Sequence, residues 1–426
     1  MNTLTRKSPA RAAALASLML GAAAWAPALL AREAPPAPAQ PRAFALPAKD
    51  TVTLPNGLRI TFIEYGLVPK VTLVASLRTG NIDDGGRTWL PDVVTEMLKE
   101  GTRLRSSATI ARDAASMGGA LSIGAGMDTT TASMSVLSEF ATDAAGMLGE
   151  VLRQPLLPES ELARIKANFE RNRSISVTEP GSIAGAAFAS MVYGDHPYGR
   201  RLPTAEQLAG YTIADVRKFY ADNFGARRTT IYVAGRYDRK ALEAALRKAF
   251  GDWQAGPEPS RLVAAPVQAA QYRLIDRPAA PQSTVRLGLP VADASQPDYL
   301  PLALTNTLLG GSFASRITSN IREQKGYTYS PSGSVSNFYR VAQWMEAADV
   351  TSADTAAALT EIYKEVDRLR NEPPTAEELA GFQRYMAGLF VIRNSSPNGV
   401  LSQVAFLDLH GLPDSFLTNY VQNVYA

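Results

Sequence analysis

The sequence predicts an α+β fold built of two homologous α/β-sandwich domains, the product of a duplication. Three observations carry this. "WLPDVVTEMLKEGT" (89–102) is echoed by "YLPLALTNTLLGGS" (299–312): Trp89 meets Tyr299, Leu90-Pro91 meets Leu300-Pro301, Thr95 meets Thr305 and Gly101 meets Gly311, an offset of 210 residues. "PESELARIKANF" (158–169) is echoed by "TAEELAGFQRYM" (375–386) at an offset of 217. Two matches in the same order and at nearly the same offset mark a duplicated domain, not the roughly 20–50-residue period of a solenoid. Each copy also runs strands first and helices after, which suits packed α+β layers better than a doubly wound sheet.

The elements follow in order. "RITFIEYGLVPKVTLVASLRTG" and, in the second copy, "STVRLGLPVAD" alternate and are rich in β-branched residues, so they read as strands. A helix opens near each Leu-Pro pair and is stopped by Gly101 or by Gly310-Gly311. A second helix follows, "SSATIARDAASMG" with a Ser cap and "FASRITSNIREQKG" in the repeat. Then comes a Ser/Thr-rich strand, "ALSIGAGMDTTTASMSVL" or "YTYSPSGSVSNFYRVAQWMEAADV", and after it two helices. The first copy closes with the helix "TIADVRKFYADNF", the strand "TTIYVAG" and the helix "RKALEAALRKAFGDW". The predicted boundaries are a signal segment at 1–31, a Pro/Ala-rich leader at 32–50, a first domain at 51–253, a linker at 254–271 and a second domain at 272–426. The second domain reads as incomplete at its C-terminus, or as closing differently, since it lacks a counterpart of residues 211–253.

Composition narrows the function classes. The 426-residue chain is 46% hydrophobic, enough for two cores, and contains no cysteine, so disulfides, thiol chemistry and cysteine metal sites are excluded. Arg6, Lys7 and Arg11 precede "AAALASLMLGAAAWA" and small residues, the pattern of a secretory signal cut after Ala28 or Ala31. An uncut anchoring helix is the alternative. Export with no cysteines points to a periplasmic protein. Removing those three cations from the net charge of +3 leaves a neutral mature chain. With no basic patch or RNA-type aromatic motif, nucleic acid is not an expected partner, and no later segment offers the ~20 apolar residues of a membrane span.

Four stretches bring a family into view: "LPNGLRI" (54–60), "EMLKEGT" (96–102), "HPYGRRLPTAEQL" (196–208) and "LLGGSFASRITSNIREQKGYTYS" (308–330). Over roughly residues 50–426 the chain resembles the pitrilysin or insulinase type of zinc metallopeptidase, which includes the mitochondrial processing peptidase. It looks most like the short bacterial members that work as two-chain assemblies. The resemblance implies half of a peptidase clamshell. In active members the helix carries H-x-x-E-H, two zinc ligands and the general base. Aligned on Gly101-Thr102, those positions fall on Asp92, Thr95 and Glu96. The third ligand would fall near Glu170, and the two histidines, His196 and His410, are remote in sequence.

All three positions of this degenerate site are thus replaced, and a threonine hydroxyl is no base near neutral pH. Asp92 and Glu96, one turn apart, could together touch calcium or magnesium, or simply form a solvated or Arg/Lys-paired acidic face. No zinc is expected in this chain. The strand after the helix reads Ser122-Ile123-Gly124-Ala125 where active members usually carry Asn-Ala-x-Thr. "HPYG" at 196–199 reads as a turn element rather than a ligand.

The second copy keeps another set. Phe313, Ile317 and Ile321 make one helical stripe with Arg322 beside it near the end that Gly326 closes, and Tyr327 and Tyr329 share one face of the strand that follows. An Arg in a last helical turn favours the dipole, and a Tyr on a strand commonly packs. The resemblance implies more: Arg322 and Tyr329 act in catalysis by holding a peptide carbonyl and its oxyanion, in trans to a zinc centre on a partner. It likewise places Gly310 and Gly311 at the substrate entrance. The expected protein is therefore a non-catalytic subunit of a heterodimeric zinc metalloendopeptidase acting on unfolded peptides. Its partner is a homologous catalytic subunit bearing H-x-x-E-H and the zinc. A peptide-binding or scaffold protein with no proteolytic role is the alternative.

Overall fold

The computed structural model describes residues 44–426; the predicted signal, and the leader up to residue 43, lie outside the described residues. Six strands form the first sheet: β1 (Lys49–Thr53), β2 (Arg59–Glu64), β3 (Lys70–Leu77), β4 (Leu121–Ala125), β5 (Thr130–Leu137) and β6 (Thr229–Gly235), in the order β1-β2-β6-β3-β5-β4. Only β2 and β6 run parallel. The single Ser/Thr-rich strand expected before residue 137 is the hairpin β4–β5, because Gly126 turns the chain and accepts from Asn81 while donating to Thr129. The second sheet has β7 (Gln282–Val291), β8 (Ser332–Phe338) and β9 (Val341–Thr351) in the order β7-β9-β8. It repeats the β3-β5-β4 half of the first sheet.

The helices of the first copy are α1 (Leu90–Leu98), α2 (Ser107–Ser116), α3 (Ala141–Arg153), α4 (Glu159–Ser176), α5 (Pro180–Tyr193), α6 (Ala205–Ala209), α7 (Ile213–Asn223) and α8 (Arg239–Phe250). Those of the second are α9 (Tyr299–Leu309), α10 (Thr355–Asn371), α11 (Ala376–Arg393), α12 (Pro397–His410), α13 (Ser415–Thr418) and α14 (Tyr420–Tyr425). Starts are set by side-chain caps, such as Ser106 on α2 and the reciprocal Thr212–Asp215 capping box of α7. Val93, Val94, Met97 and Leu98 of α1 are fully buried beside Leu73, Ala75, Ile123 and Met134. Each such side chain contributes about 1.5–3 kcal/mol, so α1 is fixed on the sheet whatever its polar face does.

Helices α5 and α12, which the sequence reading leaves unassigned, hold the two halves together. Each begins at a proline, Pro180 and Pro397, and ends at a glycine with positive φ, Gly194 and Gly411. Each then lies on the other copy's sheet. Phe188 of α5 reaches Gly288 of β7, while Val400, Leu401 and Val404 of α12 cover Ile63, Tyr232 and Ala234 of the first sheet. The segment 254–271 carries no helix or strand, yet Gln254 and Ala255 accept from Ala226 and Arg227, and Val267 donates to Val192.

Two local expectations are corrected. The helix ahead of Gly326 is π-helical over Thr318–Gln324, with Lys325 N–H bonding the carbonyl of Asn320. The expected stripe is cut short: Ile317 and Ile321 are buried, but the helix begins only after Phe313, which is 65% exposed. Residues 327–331 are also not a strand. Thr328 makes one bridge to Val350, Tyr327 packs into the second core, and Tyr329 turns to solvent, 77% exposed.

Candidate functional site

Helix α1 presents its three predicted positions in ways that rule against a catalytic metal. Asp92 is half-buried. Asn81 Nδ2 donates to its Oδ2 at 3.0 Å, and burial pushes its carboxyl up to about 6. Of the solvated or Arg/Lys-paired acidic face expected here, Asp92 is held by an amide and only partly exposed, while Glu96 is paired with a lysine. Thr95 is buried and its hydroxyl donates to the Asp92 carbonyl at 2.8 Å, folded back on its own helix. Glu96 is ion-paired with Lys99 at 2.6 Å. Glu170 holds Arg173 in a two-bond fork, each bond 2.7 Å. Zinc sites of catalytic type use three protein donors, commonly with imidazole among them; here one carboxylate is held by an amide, one is neutralised by lysine, and the residue between them bonds its own backbone. The set does not fit zinc, and among the described residues no group of three or more metal-ligating side chains is assembled elsewhere. The neighbouring strand β4, with Ser122 to Ala125, is the outer strand of its sheet.

The histidines are structural. His196 caps the short turn Pro197–Gly199, its Nδ1 accepting from the Tyr198 N–H at 3.2 Å. Tyr198 is fully buried, stacked on Phe338 of the second copy at 4.5 Å between centroids, and donates to Asp128. Asp128 also accepts from Tyr339 N at 3.1 Å, so it ties the β4–β5 turn to the β8–β9 turn. His410 is buried against Phe406, and burial lowers its pKa to about 4.

Arg322, Tyr329 and Phe313 come together. The π-helix ends at Gly326, whose φ of 67° is the left-handed conformation that glycine adopts at least cost, and the chain doubles back. The Arg322 guanidinium then lies 4.6 Å from the Tyr329 ring centroid and 4.5 Å from that of Phe313. Such a cation–π sandwich contributes about 0.5–1 kcal/mol per ring at exposed sites. Glu323 takes the Arg322 Nε at 3.0 Å; the two Nη groups have no hydrogen-bond partner among the described residues. The group is thus a fixed, partly exposed cation with an exposed phenol beside it.

The glycine pair has a role the sequence does not disclose. Gly310 accepts from Gly333 N at 2.8 Å, and a Cβ on Gly310 would fall 2.2 Å from Glu346 Oε2. Glu346 is 1% exposed, neither oxygen has a hydrogen-bond partner, and burial pushes its carboxyl up to about 8. Gly310 and Gly333 therefore make room for a carboxyl that is neutral at pH 7. The one hint in the sequence is that Glu346 stands directly between apolar residues on both sides in "WMEAA". Gly311 lines a cleft of about 470 Å³ between α9, β8 and the C-terminal helices.

The geometry is that of a duplicated sandwich whose α1 offers no zinc donor set among the described residues and whose second copy brings Arg322 and Tyr329 together. Residues 210–386 match the family described as Peptidase M16 inactive domain. The chain is 24% identical over 354 residues to an uncharacterized zinc protease, YmxG, of Bacillus subtilis, covering 82% of this chain and 86% of that one. It has the fold of a peptidase M16 inactive domain from Pseudomonas fluorescens, with a TM-score of 0.80, 24% identity and coverage of 89% and 91%. It shares that fold with a protease from Helicobacter pylori at a TM-score of 0.83, 17% identity and coverage of 89% and 94%. Residues 210–386 thus match the peptidase M16 inactive domain, and over most of its length the chain is similar to proteins named zinc proteases. Among the described residues no helix is long and apolar enough to cross a membrane.

Proposed function

We propose that this chain is the non-catalytic subunit of a two-chain zinc metalloendopeptidase of the periplasm. It assembles with a homologous subunit that bears H-x-x-E-H and the zinc, and Arg322 and Tyr329 act in trans on the peptide carbonyl at that centre. In this reading residues 1–31 are a signal, 51–253 and 272–426 are the two peptidase-like domains, and Gly310-Gly311 border the substrate path. The observation that carries it is the Arg322–Tyr329 pair, held at 4.6 Å with the tyrosine exposed and the arginine partly so, on a chain whose own α1 offers no zinc donor set. An arginine fork and a phenolic O–H are donors suited to a developing oxyanion. Nothing within the described chain uses the two Nη groups, and a purely structural arginine would be expected to spend them.

The test is cleavage of an unstructured peptide by this chain, by a homologous H-x-x-E-H chain of the same genome, and by the two mixed with zinc. The mixture should cleave at a rate neither chain reaches alone. Arg322→Ala should assemble normally and lower kcat about 10²–10³-fold, the usual loss for one oxyanion donor; Tyr329→Phe should lower it less. Assembly and peptide binding without cleavage in any mixture would replace this reading by a scaffold role.

A further inference from the structure

The cleft of about 470 Å³ beside Gly311 has a composition that points to a particular ligand. Its size is that of a small-molecule or short-peptide pocket. Aromatic rings form its sides. Tyr299 stacks with Phe416 at 6.3 Å, and Tyr420 stacks on Phe390 at 4.3 Å. Arg393, the last residue of α11, lines the same cleft, and no carboxylate of the described residues lies within ion-pair distance of it. Its charge reaches both phenols: burial raises the pKa of each, Tyr420 to about 12, and Arg393 opposes the rise. Both phenols are therefore protonated donors at neutral pH. Asn337 Nδ2 donates to the Tyr299 oxygen at 2.9 Å, which leaves the Tyr299 proton free to point at a ligand. Trp344 Nε1 donates to Asn306 Oδ1 at 2.9 Å, which fixes that amide with its NH₂ toward Gly333. The polar groups that converge here are thus mainly donors around one cation, set in an aromatic wall.

One arginine fork matches one carboxylate, and the rings require an apolar body attached to it. One feature favours a peptide over a free acid. Ser334 and Val335, which line the cleft, belong to β8, an outer strand of its sheet, so unpaired backbone groups run alongside. We infer that this cleft holds the C-terminal carboxylate and last apolar side chain of a peptide, with Arg393 as the partner of the carboxylate. The inference deepens the proposed function, on which it rests for its ligand class. It gives the subunit an end-anchoring site separate from Arg322 and Tyr329.

The test is fluorescence anisotropy with the full chain alone, using a labelled hexapeptide that ends in phenylalanine with a free carboxylate and its C-terminally amidated twin. The acid should bind at least ten-fold more tightly than the amide. Arg393→Gln should reduce the acid to the level of the amide, and Arg393→Lys should recover part of the preference; Arg393 is exposed, so neither change threatens the fold. N-acetylphenylalanine should compete more weakly than the acid peptide. Equal binding of acid and amide, binding of neither, or a preference that survives Arg393→Gln would overturn the anchor. So would equal competition by N-acetylphenylalanine, which would make the ligand a free acid. Because no cleavage is read, this failure is distinct from failure of complementation: a mixture that cleaves while acid and amide bind alike leaves the subunit reading standing and removes only the anchor.

Discussion

Asp92, where the resemblance would place a zinc ligand, is held instead by an amide. Its folded pKa, about 6, lies above the usual 3.8 because burial disfavours the charge more than the Asn81 hydrogen bond relieves it. The folded state therefore binds the proton more tightly than the unfolded one. That contributes stability in full below about 3.8, and the contribution is lost as pH rises through about 6. Asp92→Asn keeps an acceptor for Asn81 and removes the half-buried charge. It should leave the urea midpoint unchanged near pH 4 and raise stability on the order of 2 kcal/mol at pH 8; an increment independent of pH would show that the carboxylate is not buried in this way. The substitution at this position was legible in the sequence, since the helix and its Gly-Thr marker align without gaps. Its burial was not, because Asn81 belongs to a loop whose position is set by Gly126, in another hairpin. The same holds for Glu346, whose lack of partners depends on Gly310 and Gly333 converging from two other segments.

Helices α1, α3, α4, α7, α8, α10 and α11 were legible from their apolar spacing or their end signals; of these α7, α8 and α11 start at a capping side chain, Thr212, Asp238 and Thr375. The π-helix at Thr318–Gln324 was not, since the pattern over "FASRITSNIREQKG" fits an ordinary helix and only tertiary packing of Ile317 and Ile321 selects the wider turn. Helix α5 was missed for another reason. "PGSIAGAAFASMVY" is small and apolar all round, so it shows no face, and its partner strand β7 is about a hundred residues away. Two glycines test that packing with opposite signs. A Cβ at Gly288 would meet the Trp344 carbonyl oxygen at 2.1 Å and the Phe188 ring at 2.7 Å, so Gly288→Ala should destabilise by about 1–3 kcal/mol. A Cβ at Gly185, within α5, meets nothing within 4 Å, so Gly185→Ala should stabilise by about 0.5–1 kcal/mol through helix propensity. Equilibrium denaturation decides both, and destabilisation by both would mean that α5 is not seated as described.

The two copies, read separately from the sequence, do not behave as separate bodies in the fold. Each gives its proline-started helix to the other's sheet, α5 to β7 and α12 to β3 and β6. Tyr198 and Asp128 of the first copy meet Phe338 and Tyr339 of the second in a buried aromatic and hydrogen-bonded contact. Without the second copy, the face carrying Ile63, Tyr232 and Ala234, all nearly fully buried, would be open to water. That exposure costs about 25 cal/mol per Å² of apolar surface, against domain stabilities of only about 5–15 kcal/mol. One copy is thus expected to melt at nearly the same temperature as the other rather than well before it. Scanning calorimetry of the intact chain should give a single transition whose calorimetric and van't Hoff enthalpies agree. Asp128→Asn keeps the shape of the junction but sets an amide NH2 against one of the two donors, Tyr198 O–H and Tyr339 N–H, that Asp128 accepts from, so it should lower the temperature of that transition without splitting it. Two resolved transitions in the intact chain would show that the exchanged helices dock on halves already stable alone, and that the sequence repeat also marks the folding units.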